Sequence, residues 1–237
     1  MKKVRDFQFK QFTVAQGSAT HKVGTDGVLL GAWVNVENVK YILDIGTGTG
    51  LIALMLAQRT NDDAVIEAIE IQENDVQQAR LNFANSPWRK RLVVHREAVQ
   101  NFYSDIKFDL IVSNPPYFIN SALPPTAERA AVRHTHALSF DELLDAVARL
   151  LNPSGKFAVI LPYQEGQHFK NLSGLKGLHC IRECEFRART EKPIERVLME
   201  FSFQQSFKLK EELVLYKKDE VWSDEYKALT REFYLKI

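Results

Sequence analysis

The segment Asp44-Ile45-Gly46-Thr47-Gly48-Thr49-Gly50 constrains this chain more than any other. It stands between a short apolar run, Tyr41 to Ile45, and a breaker-free stretch of helix formers, Leu51 to Ala57. Alternate glycines let the backbone turn sharply and approach a ligand with no Cβ in the way. Strand, glycine turn and helix together open a βα unit. A dinucleotide fingerprint would place its third Gly or Ala at 51, where this chain has Leu51, and no G-x-x-x-x-G-K-[ST] phosphate loop occurs.

The βα rhythm continues downstream. Ala64 to Ile69 reads as a strand and Asn74 to Asn85 as a helix, with Val76, Ala79, Leu81 and Phe83 supplying much of its apolar side. Leu92–His95 and Phe108–Ser113 are further strands. Phe140 to Leu151 is predicted helical, with Ser139 as N-cap and Glu142 completing a capping box. Pro153-Ser154-Gly155 should stop that helix before a strand at Lys156–Leu161. Leu178–Phe186, Arg196–Phe203 and Leu209–Tyr216 look like late strands with antiparallel pairing, and Glu225 to Leu235 like a closing helix. This alternation predicts an α/β fold, a doubly wound and mainly parallel sheet. Residues 1–40 form an N-terminal extension expected to pack on the core, and residues 41–237 form the domain itself.

Composition removes other classes. With 45% hydrophobic and 26% charged residues the chain is neither disordered nor low-complexity. No apolar run approaches the roughly 20 residues needed to span a bilayer, and the charged start is followed by no secretory signal. A cytoplasmic protein without membrane association is expected. Two cysteines, Cys180 and Cys184, make no disulfide framework and read as reduced thiols on one strand. The six histidines show no metal spacing, so no metal is expected. Lys plus Arg number 31 against 30 Asp plus Glu, a formal charge of +1 that counts against indiscriminate nucleic-acid coating. Any nucleic-acid contact must come from local patches. Candidates are Lys2, Lys3, Arg5, Lys10 and Lys22; Trp88-Arg89-Lys90-Arg91; and Arg182, Arg187, Arg189, Lys192 and Arg196.

Chemistry-bearing residues recur after successive strands. Glu70 follows the strand Ala64–Ile69 about 20 residues beyond the glycine turn, where an acidic side chain can accept both hydroxyls of a ribose. Glu97-Ala98 follow the next strand. Asn114-Pro115-Pro116-Tyr117 follows Phe108–Ser113. Two prolines fix φ and remove two backbone donors, leaving a rigid loop of outward carbonyls. The Asn114 amide oxygen and the Pro115 carbonyl can accept hydrogen bonds, and the Tyr117 ring can stack on a flat group. Together they suit a planar amine, whose delocalised lone pair makes it a poor nucleophile until its N–H groups are held by acceptors.

Glycine turn, acidic strand end and N-P-P-Y, in this order, resemble the class I S-adenosylmethionine-dependent amino-methyltransferases over roughly residues 20–205. That resemblance implies a seven-stranded Rossmann-like methyltransferase sheet with an antiparallel C-terminal edge. It also implies S-adenosyl-L-methionine as cofactor, held by Asp44, Gly46, Thr47, Gly48, Gly50, Glu70, Glu97, Ala98 and Asn114. Asn114, Pro115, Pro116 and Tyr117 become the catalytic loop. Within the class the chain is similar to the bacterial enzymes that N6-methylate adenine-37 of tRNA1(Val). The likeness rests on Phe7, Phe9 and Phe12, on Gly24–Trp33, on N-P-P-Y-F and on Leu229–Leu235. It implies a tRNA anticodon stem-loop as partner, with Arg129, Arg133, His134 and Arg189 as candidate substrate contacts. Basic charge would then be concentrated on the face carrying Asn114 and Tyr117. Guanine-N2 methyltransferases of ribosomal RNA and glutamine-amide methyltransferases acting on protein share the loop and are the alternatives. The latter carry a longer helical N-terminal domain, for which the roughly 40 residues before the first strand lack the pattern.

Overall fold

The computed structural model describes residues 5–17, 19–20, 22–116, 138–217 and 220–236. A two-stranded hairpin, β1 (Phe7–Gln8) and β2 (Thr13–Val14), precedes helix α1 (Thr25–Trp33). Then follow β3 (Tyr41–Ile45), α2 (Leu51–Arg59), β4 (Val65–Glu70), α3 (Glu73–Ala84), β5 (Leu92–Arg96) and β6 (Phe108–Ser113). The second half holds α4 (Phe140–Leu150), β7 (Leu151–Pro162), α5 (Tyr163–Leu175), β8 (His179–Arg187), β9 (Arg196–Ser202), β10 (Leu209–Val214) and α6 (Asp224–Thr230).

Among the described residues, eight strands form the main sheet, in the order β10-β8-β9-β7-β6-β3-β4-β5. The fold class is the expected one; β10, read from the sequence as a late strand, brings the sheet to one strand more than the seven the resemblance implies. β3 runs parallel to β4 and β6, β4 to β5, and β6 to β7. Among the described residues of this sheet, antiparallel pairing is confined to β9, which opposes both β7 and β8, while β10 runs parallel to β8. The strand order runs from β3 towards β5 on one side and from β6 towards β7 on the other, and leaves a crevice where it reverses, at β3 and β6.

Alternation decides which side chain faces which layer. Ile42, Leu110, Val112, Ala158 and Ile160 join one core with α1, α2 and α3. Leu43, Ile45, Ile111, Phe157, Val159 and Leu161 join the other with α4 and α5. α1 is buried from Gly27 through Trp33, as a helix apolar on all sides must be. It packs on α2 through glycines: a Cβ at Gly27 would lie 3.0 Å from Leu51 Cδ2, and one at Gly31 3.0 Å from Met55 Cβ. The Ser139/Glu142 capping box is present, and α4 ends as β7 begins at Leu151. Pro153-Ser154-Gly155 therefore lies inside a strand. The register shifts there, Phe108 facing Leu151 and Leu110 facing Lys156, so the segment makes an irregular bulge.

The closing helix is shorter than expected, ending at Thr230. The residues beyond it turn back onto the hairpin. Lys10 N–H donates to Phe233 O at 2.8 Å. The rings of Phe9 and Phe12 stack at 4.6 Å, Phe9 and Tyr234 at 6.0 Å, and Trp222 and Tyr234 lie 5.1 Å apart. Among the described residues no helix is long and apolar enough to cross a membrane. Cys180 and Cys184 sit on β8 as free thiols.

Close packing of α5 on β9 gives a stability test. A Cβ at Gly166 would fall 2.2 Å from Val197 Cγ1, a stiff β-branched partner. Gly166→Ala should lower the melting temperature, since overpacking costs about 1–3 kcal/mol and exceeds the ~0.5–1 kcal/mol gained from helix propensity. Gly174→Ala, with nothing within 4 Å of the added Cβ, should leave the melt unchanged or raise it slightly. Thermal unfolding of both variants checks the pair.

Candidate active site

The C-terminal ends of β3, β4, β5 and β6 emerge along one edge, because the strands are parallel and in register. Ile45 stands opposite Ile69 and Ser113, and Glu70 opposite Arg96. Ser113 Oγ donates to Ile45 O at 2.9 Å in a buried bond, tying the strand before Asn114 to the strand before the glycine turn. Gly46, Gly48 and Gly50 adopt φ of 73°, 55° and 83°. These values put all three in the left-handed region. Gly46 and Thr47 both donate their N–H to Ile69 O, at 2.9 and 3.1 Å, so the turn is folded across β4. Gly50 N-caps α2, and a Cβ there would meet the Phe83 ring at 2.5 Å. A Cβ at Gly46 or Gly48 would meet nothing within 4 Å, so the space beside the turn is open.

Asp44 is fully buried. Its Oδ2 accepts from Thr47 Oγ1 at 2.6 Å and from Ala53 N–H at 3.2 Å, while Oδ1 is buried without a hydrogen-bond partner. Burial pushes its carboxyl up to about 7, against the lowering by Thr47 and Ala53, and nearby Glu70 adds to the rise. Glu70 is 9% exposed and braces the turn from β4. Its Oε2 accepts from Gly48 N–H at 3.1 Å, and its Oε1 from Ile71 and Gln72 N–H at 2.8 and 2.9 Å. Glu97 N–H donates to Glu70 O at 3.1 Å, which brings the half-buried Glu97 and Ala98 beside this strand end. Asn114 is half-buried, Pro115 buried and Pro116 exposed at the end of β6.

Asp44, the turn, Glu70, Glu97-Ala98 and Asn114-Pro115-Pro116 are thus gathered on one edge. Tyr117, Arg129, Arg133 and His134 lie outside the described residues. Arg189 is at the same end, in the β8–β9 loop, but its guanidinium pairs with Glu220 at 2.8 Å and lies over the Tyr216 ring at 6.0 Å. The Trp88–Arg91 run is not a uniform surface patch. Trp88 packs edge-on against Phe12 at 5.8 Å, and Arg91 is buried, donating to Ala57 O and Ala64 O. A sequence shows that an arginine is present but not whether carbonyls at a helix end already hold it.

Two polar residues that sequence reasoning missed hold the N-terminal segment against the site. Asn82, 2% exposed, donates through Nδ2 to Thr49 O at 2.8 Å and Ala15 O at 2.9 Å, and accepts from Ala15 N–H at 2.9 Å. Asp75, 3% exposed, accepts from Thr20 N–H at 2.8 Å. The available signal was an asparagine between Ala79 and Phe83 on the apolar side of α3. Asp26 also anchors α1 to β9, its carboxylate 2.8 Å from Arg196 Nε.

Residues 20–178 match the methyltransferase small domain family. Over 231 residues the chain is 44% identical to the tRNA1(Val) (adenine(37)-N6)-methyltransferase of Bacteroides thetaiotaomicron, covering 98% of each chain. The chain belongs to this methyltransferase family. Its fold is shared more widely. A predicted O-methyltransferase from Agrobacterium tumefaciens superposes with a TM-score of 0.69 at 16% identity, covering 88% of this chain and 96% of that one. The glycopeptide N-methyltransferase MtfA, solved with S-adenosyl-L-methionine, superposes with a TM-score of 0.57 at 14% identity, over 78% and 90%.

In this methyltransferase the two buried polar anchors of the turn give separate tests. Asn82→Ala removes three hydrogen bonds that join Ala15 to Thr49. It should weaken cofactor affinity by roughly tenfold or more, each buried bond being worth on the order of 1 kcal/mol, as read by titration calorimetry. Asp44 binds a proton when folded that the unfolded chain releases between pH 3.8 and about 7, so its contribution to stability falls as pH rises through that window. Asp44→Asn keeps an oxygen for Thr47 and Ala53 without that penalty. Relative to the wild type, the variant should melt higher at pH 8 than at pH 5.

Proposed function

We propose that this chain transfers a methyl group from S-adenosyl-L-methionine to the N6 amine of adenine-37 in the anticodon loop of tRNA1(Val). The near-full-length identity to a relative of that name carries the reading. The edge geometry supports it. An unpartnered buried carboxylate oxygen on Asp44 beside an open glycine turn fits a cationic or donor-bearing ligand. Asp44, Gly46, Thr47, Gly48 and Gly50 would hold the amino-acid end of the cofactor. Glu70 would accept the ribose hydroxyls, exchanging its bond from Gly48 for them, and Glu97-Ala98 would flank the adenine ring.

When bound, the cofactor supplies a methyl group on a positively charged sulfur, already an excellent leaving group. The protein's task is to place the amine. Asn114 Oδ1 and the Pro115 carbonyl accept its two N–H groups and draw the nitrogen towards tetrahedral geometry, which localises its lone pair for in-line attack. Held so by Asn114 and Pro115, the amine would accept the methyl group that the cofactor supplies, and its proton would pass to solvent. The amine proton becomes acidic only once nitrogen carries positive charge, so Asn114 suffices where a strong base would otherwise be needed. Pro115 and Pro116 keep the acceptors rigid, and Tyr117 stacks on the base. An anticodon-loop adenine is easier to unstack than a duplex base.

We read residues 41–237 as the methyltransferase domain and residues 1–40 as an extension packed on it, a view supported by the Asn82–Ala15 bonds. A cytoplasmic location follows from a tRNA substrate. The test incubates tRNA lacking the modification with enzyme and labelled cofactor, then identifies the methylated nucleoside by mass spectrometry. N6-methyladenosine at position 37 is the expected product. Methyl on guanine N2 or on a protein glutamine would replace this reading with one of its rivals. Asn114→Ala should lower kcat by roughly 10²-fold or more, on the scale of removing one positioned hydrogen-bond partner, and leave cofactor affinity nearly unchanged.

A further inference from the structure

Four of the late-strand arginines expected to meet RNA are already held by carboxylates of this chain, while Lys192 of the same set stays exposed. Arg187 pairs with Glu212, Arg189 with Glu220 and Arg196 with Asp26, each at 2.8 Å. Arg182 is held by Glu211 and stacks on Trp33 at 4.1 Å. On the opposite flank, at the outer side of α3 and the start of β5, the arrangement differs. Arg80, Arg89 and Lys90 are exposed, and none forms an ion pair among the described residues. Arg80 and Arg89 line one shallow hollow with Val93. Arg89 also borders an open groove of about 760 Å³ between the hairpin and the end of α3. That groove is lined by exposed Gln8, Lys10, Gln11 and Asn85, with Asp6 as the acidic group on its wall.

We infer that this flank is a second RNA-docking surface, one that grips phosphates of the tRNA body away from the methylated nucleotide. The inference rests on the proposed function. Its chemistry is that of phosphate and sugar recognition: cations for the charge, and neutral amides to hydrogen-bond phosphate oxygens and 2′-hydroxyls. Position supports it. Arg89 and Lys90 precede β5, whereas Glu97 and the site lie beyond its other end. At about 3.3 Å per residue a five-residue strand separates the two by roughly 17 Å. A base seated in the site therefore cannot itself reach the flank, but the stem attached to it can. Among the described residues this unpaired cluster lies away from the catalytic edge, so it would steer and orient the RNA by contacts that carry no sequence information.

The experiment compares wild type with the triple variant Arg80→Ala/Arg89→Ala/Lys90→Ala. Affinity is measured against full-length tRNA1(Val) and against its isolated anticodon stem-loop, each at several salt concentrations. With full-length tRNA the variant should bind on the order of tenfold more weakly at low salt. The slope of log affinity against log salt should become shallower by about 2–3, roughly 0.7–0.9 for each of three phosphates no longer neutralised. Stem-loop affinity, cofactor affinity and melting temperature should be unchanged. The charge-keeping variant Arg80→Lys/Arg89→Lys, with Lys90 retained, should keep the wild-type slope, which mere packing would not predict. An unchanged slope in the alanine variant, or an equal weakening on the stem-loop, overturns the docking surface. It does so without touching the proposed reaction, provided the wild type still methylates tRNA. A wild type that binds no tRNA overturns both.

Discussion

The bend at Gly46–Gly50 is the constraint on which the site rests. Three left-handed glycines carry the chain from the end of β3 across to the Ile69 carbonyl and into α2. With any other residue at Gly50 the Phe83 ring would have to move. Glu70 closes the bend from β4, and Asn82 closes it from α3 through Thr49. The turn is therefore clamped by two successive elements, β4 and α3, and is not a free loop. Open space survives only where Gly46 and Gly48 present no side chain.

Asp44 shows what such a turn costs. A carboxylate is buried at the end of a central strand, with two donors on one oxygen and none on the other. Burial outweighs both hydrogen bonds, so its proton is held up to about 7. A group that only stabilised the fold would be better replaced by an apolar residue. Its retention makes sense where a ligand completes the coordination of the second oxygen. The same logic separates Asp44 from Glu183, equally buried but satisfied by Lys170 and Lys208 on the far half of the sheet.

Much of this was readable from residue order. Each central strand and its following turn could be placed because short, nearly continuous apolar runs ended in glycine, acidic or proline signals. The capping box at Ser139 was legible because both of its members lie within four residues. What failed to show was non-local. The bulge at 153–155 depends on β6 accepting an irregular register. Asn82 and Asp75 act on segments more than 50 residues away. Arg91 and Arg189 look alike in a sequence, yet one is spent on helix carbonyls and the other on Glu220. Charge counts report how many cations exist. Only the fold decides which of them remain available.

The clasp between the hairpin and the C-terminal turn has a consequence for how the molecule comes into being. Lys10 donates its side chain to Arg231 O, a partner 221 residues away. Phe9 likewise rests on Tyr234. Closing so long a loop is entropically slow and can occur only after the intervening sheet has assembled. On a ribosome this clasp must wait until every strand of the sheet has emerged, although Ala15 can reach Asn82 long before. A nascent or truncated chain could therefore hold a folded sheet while its two ends are still unclasped.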